Sequence, residues 1–75
     1  MVVYTFDIRV ITGTTSPTVG TQTTHAHNKG STPYGWAIRS KGTGVVYESA
    51  VPDATNFYVK GTVASTSFEI IAFFP

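Results

Sequence analysis

Strict alternation of side-chain character near both ends of this 75-residue chain narrows its fold more than any other feature. Val2, Tyr4, Phe6, Ile8 and Val10 fall on one face of an extended segment, with Thr5, Asp7 and Arg9 on the other. A period of two marks a β-strand and predicts that the Val2 to Val10 set faces a core. The later segment repeats the period: Phe68, Ile70, Ala72 and Phe74 alternate with Ser67, Glu69, Ile71 and Phe73. Here both faces carry apolar residues. Such a strand is either central in a sandwich or turns its second face toward a partner, which makes Ile71 and Phe73 candidate interaction residues.

Between these segments, residues 34–40, 45–51 and 56–63 read as further strands, rich in Tyr, Trp, Val and Ile. Turn chemistry separates them. Lys41-Gly42-Thr43-Gly44 offers glycines for positive φ, and Pro52-Asp53-Ala54-Thr55 begins with a turn-favouring pair. Links this short cannot carry parallel crossovers, so an antiparallel meander is expected from Tyr34 onward. Residues 13–33 are dominated by Thr, Ser and Gly. A structureless loop of that length is rare in a small domain, so a polar strand is predicted over about residues 19–27. It would turn at Asn28-Lys29-Gly30 and form an edge or protruding hairpin. No apolar run has the 3.6-residue period of a helix. The expected fold is all-β: one domain spanning residues 1–75, a small antiparallel β-sandwich or partly open β-barrel of five or six strands.

A chain this short buries a modest share of its surface, and without cysteine it has neither disulfides nor thiolate metal sites to reinforce a thin core. Oligomerisation is the remaining reinforcement. Charged residues are 12% of the chain, against about 25% in an ordinary soluble domain. Thr, Ser and Gly fill the polar positions, giving a surface that hydrogen-bonds with little self-repulsion. The net charge of +1 argues against nucleic-acid binding, which relies on many Lys and Arg side chains at phosphates. No segment approaches the apolar length of a membrane-spanning helix, and no signal-peptide pattern follows Met1.

Two further groups could carry chemistry. His25 and His27 are two apart, which on a strand puts both imidazoles on one face and within reach of one metal ion. Asp7, Glu48, Asp53 or Glu69 could complete such a site, or a symmetry axis could bring further pairs together; two exposed polar residues in a Thr-rich hairpin is the simpler expectation. Tyr34 and Trp36, with Tyr47 and Tyr58, could offer an aromatic platform for sugars or bases, although Trp36 alternates with Tyr34 and Ile38 as a core face does. Catalysis has no visible basis: the carboxylates are scattered, no nucleophile has a neighbouring base, and no cofactor motif is present. The sequence therefore points to a structural or assembly subunit of a particle or filament outside the cell or on a virion, acting through copies of itself or neighbouring structural proteins. A carbohydrate-binding or adhesion module using Tyr34 and Trp36 is the first alternative. An assembly tip held by metal at His25 and His27 is the second.

Overall fold

The β-branched and aromatic runs become six strands in the computed structural model, which describes residues 7–75. They are β1 (Asp7–Thr14), β2 (Thr23–Ala26), β3 (Gly35–Ser40), β4 (Val46–Ala50), β5 (Asn56–Gly61) and β6 (Ser67–Phe74). Every pairing is antiparallel, and the described residues include no helix. The strands form two three-stranded sheets, β1-β6-β3 and β2-β5-β4. This is the small β-sandwich that the alternation predicts.

The core lies between the two central strands. Phe68, Ile70, Ala72 and Phe74 project from β6, Phe57 and Val59 from β5, and Val46 from β4, all buried, with Ile11, Trp36 and Ile38 packed against them. Burying each of the larger side chains contributes about 1.5–3 kcal/mol. The placement of β6 explains its doubly apolar sequence: the Phe68 to Phe74 set fills the core, and Glu69, Ile71 and Phe73 lie on the outer face.

The expected meander does not form. Only β4 and β5 pair as sequence neighbours; β3 pairs with β6 instead. Residues 41–45 carry the chain from one sheet to the other. At the start of this link, Lys41 N–H donates to the Ser67 carbonyl at 2.8 Å; at its far end, Thr62 N–H donates to the Val45 carbonyl at 2.9 Å. Gly44, at φ +87°, takes the tight corner, where a Cβ would stand 2.6 Å from Val63 Cγ2. The link is short enough for a hairpin but is bent into a crossing.

The polar strand within residues 13–33 is present as β2, and Asn28 (φ 55°) and Gly30 (φ 74°) make the turn that follows. The protruding hairpin is not: β2 pairs with β5, and the turn leads into the opposite sheet. A strand with so polar a sequence is held because β5 supplies the apolar half of the contact, with Phe57 opposite His25 and Val59 opposite Thr23.

The face assigned to the first strand is also reversed. Ile8 and Val10 are 55% and 58% exposed, whereas Ile11 and Gly13 face inward. Register with β6 decides this, because residues directly opposite share a face: Asp7 pairs with Phe74, Arg9 with Ala72, Ile11 with Ile70 and Gly13 with Phe68. The inner positions of this outermost strand need little apolar bulk. Gly13 leaves room for His25 and Phe68, and Asp7 receives an ion pair from Lys29. Val2, Tyr4 and Phe6 lie outside the described residues.

One end of the sandwich is closed by two buried threonines. Thr15 N–H donates to the Thr66 carbonyl and Thr66 N–H donates to Thr15 Oγ1, each at 2.9 Å. The Thr66 hydroxyl donates to the Val63 carbonyl at 3.0 Å. Gly61 permits the approach, since a Cβ there would meet Thr15 Oγ1 at 2.9 Å.

Candidate interaction surface

The strand register places the outer face of the β1-β6-β3 sheet residue by residue. Val10 is opposite Ile71 and Ile8 opposite Phe73 across β1 and β6; Ala37 is opposite Ile71 and Arg39 opposite Glu69 across β6 and β3. The result is an apolar band of Ile8, Val10, Ile71, Phe73 and Ala37, with charge at one end. There Arg39 donates to Glu69 Oε1 at 3.0 Å. Ile71 is 36% exposed and Phe73 half-buried, and a Cβ added at Gly35 would stand 3.9 Å from the Phe73 ring. Ile8 and Val10 join the surface through the reversed face of β1. Their alternation with Asp7 and Arg9 reads equally well as a buried face, so only pairing with β6 reveals them.

Tyr34 and Trp36 do not share an environment. Tyr34 is 73% exposed, with its backbone N–H donating to the Phe73 carbonyl at 2.7 Å. Trp36 is half-buried and packs edge-on against Phe57, with ring centroids 6.2 Å apart. Trp36 thus lies on the core side of the sheet.

Both histidines face the sandwich interior, on the single face that their spacing predicts. His25 meets Phe68 edge-on at 4.7 Å, and its Nε2 is 2.8 Å from Thr23 Oγ1. Burial pushes the pKa of His25 below the usual imidazole value. The His27 ring packs on Phe74 at 4.8 Å and Phe57 at 5.3 Å. Its Nδ1 accepts from Lys29 N–H at 3.2 Å, which leaves Nε2 to donate to the Asp53 carbonyl at 2.8 Å. A metal at a molecular tip would require both rings to leave these contacts. Among the described residues no three His, Asp or Glu side chains come together as a metal site.

The carboxylates are engaged separately. Asp7 is held below its ordinary pKa by hydrogen bonds from Lys29 and then Arg9. Asp53 is likewise lowered, first by the Tyr58 hydroxyl and then by the Thr55 and Asn56 amides; the same bond raises the pKa of Tyr58. Those two amides reach Asp53 Oδ1 at 2.9 and 2.7 Å and build the turn between β4 and β5. Glu69 binds Arg39, as above. Asp7, Asp53 and Glu69 each have a local structural role.

Neither a family model, nor a curated protein, nor a solved structure matches this chain. The functional reading therefore rests on the surface itself.

Proposed function

We propose that this protein is a non-catalytic structural subunit of a larger assembly, such as a virion decoration or tail component or a surface filament, and that it works through contacts with copies of itself. The exposure of Ile8, Val10 and Ile71 on one sheet face carries the reading. Side chains of this kind gain little from water and, gathered on one face, favour a protein interface. The low charge supports the same conclusion, because identical surfaces meet with little repulsion. Assembly outside the cell or on a virion belongs to the same proposal, and a domain without disulfides is compatible with either place.

Replacing Ile71 by Asp puts a charge in the middle of the band without touching the core. Sedimentation and native mass spectrometry of the unaltered protein at micromolar concentration are expected to show a defined oligomer or polymer. Ile71→Asp is expected to shift it to monomer with an unchanged circular-dichroism spectrum. A stable wild-type monomer with no partner in native material would overturn the proposal.

The exposed ring of Tyr34 favours one other reading, a glycan-binding module. Binding on a glycan array that disappears in a folded Tyr34→Ala variant would select it.

A further inference from the structure

We propose that two copies join edge to edge through β1, so that their β1-β6-β3 sheets become one six-stranded sheet with a continuous apolar face. This rests on the assembly reading and names its partner, a second copy of the chain, and its mode of contact.

The four sheet edges are unequal. β2 is only four residues long, and β4 is five residues, with a register shift between Glu48 and Ala50 and Pro52 shortly after it. Short strands, bulges and prolines are the usual protections against unwanted pairing. The β3 edge follows Pro33 and runs beside β4. β1 has none of these protections. It pairs with β6 in unbroken register over all eight residues and contains no proline. In an antiparallel ladder alternate residues direct their N–H and C=O groups to the partner, so the intervening residues of β1 direct theirs away from β6. Among the described strands, β1 pairs with β6 alone. Its two charged residues sit together at the start of the strand, where Asp7 takes Arg9 at 3.2 Å and Lys29 as well, and the edge from Val10 to Thr14 carries no charge.

Area favours the same partner. Three strands spaced about 4.8 Å apart, with eight residues rising about 3.4 Å each, present a face of only about 390 Å². A standard interface takes about 800 Å² from each partner. The flat footprint of one sheet face is small beside such an interface. Joining two copies across β1 doubles the continuous face that a further pair can bury, so the edge contact and the face contact around Ile71 support each other, while the new ladder satisfies the outward backbone groups.

Residue-resolved hydrogen exchange of the full chain, from millimolar to low micromolar concentration, tests this. Amides of β1 that bond to β6 should stay protected, and the intervening amides should be protected at high concentration and lose protection on dilution. Arg9→Glu, which gathers like charge on the edge, should weaken self-association by about tenfold or more. If the intervening amides exchange independently of concentration, or if Arg9→Glu associates normally while Ile71→Asp does not, edge pairing is wrong and assembly through the face survives. A monomer at every concentration overturns both proposals.

Discussion

His25 occupies a position where a strand would ordinarily direct a Val or Ile. Its neighbours there are Gly13 on β1, Phe68 on β6 and the Thr23 hydroxyl on its own strand. Burial favours the neutral ring, so the folded-state pKa lies below the unfolded value of about 6.5. The unfolded chain therefore takes up the proton first as pH falls. The stability associated with the neutral ring is present above about pH 6.5 and is lost as pH drops from there toward the lowered folded-state value. Denaturant melts of the wild type should weaken across that interval, and a His25→Phe variant, which keeps a ring but cannot titrate, should show a smaller decline. Equal pH dependence in both proteins would remove His25 as the cause. The lowered carboxyls of Asp7 and Asp53 act in a separate window: what they contribute is present above about pH 4 and fades as pH falls further.

Strands are more legible in this sequence than the way they are joined. The runs that become β3, β4, β5 and β6 are each visible in the pattern, because a half-buried strand must alternate. Pairing is hidden, since the link of residues 41–45 has the length of a hairpin and only the bonds at its two ends show that it crosses between sheets. The β1 face is hidden for a related reason: Ile8 and Val10 alternate with charges, yet the inward positions are occupied by Gly13 and by Asp7 in its ion pair. Ile71 and Phe73 were legible as an outer face from β6 alone, whereas their neighbours on β1 were not. The threonine closure is likewise invisible among so many threonines. Thr15→Val keeps volume and removes the acceptor for the buried Thr66 N–H, which should cost about 1–3 kcal/mol in urea melts. Thr15→Ser retains that oxygen and should lose less. A loss in Thr15→Ser with none in Thr15→Val would mean that packing of the methyl group, and not the hydrogen bond, is what matters at Thr15.

At the scale of the molecule, the core rests on a few large side chains from β5 and β6, and the chain has no cysteine with which to reinforce it. Small domains of this kind have modest intrinsic stability. If association supplies part of the stability, the folded state is favoured by mass action and the melting temperature must depend on protein concentration. For a chain of this length, an enthalpy of about 0.7 kcal/mol per residue makes a dimer's Tm rise by about 5 °C for each tenfold increase in concentration. Calorimetry over two decades of concentration should show that slope in the wild type and a flat line for Ile71→Asp, whose monomer gains nothing from neighbours. A flat line for both would mean that the sandwich is stable on its own and that its exposed apolar face does not contribute to folding.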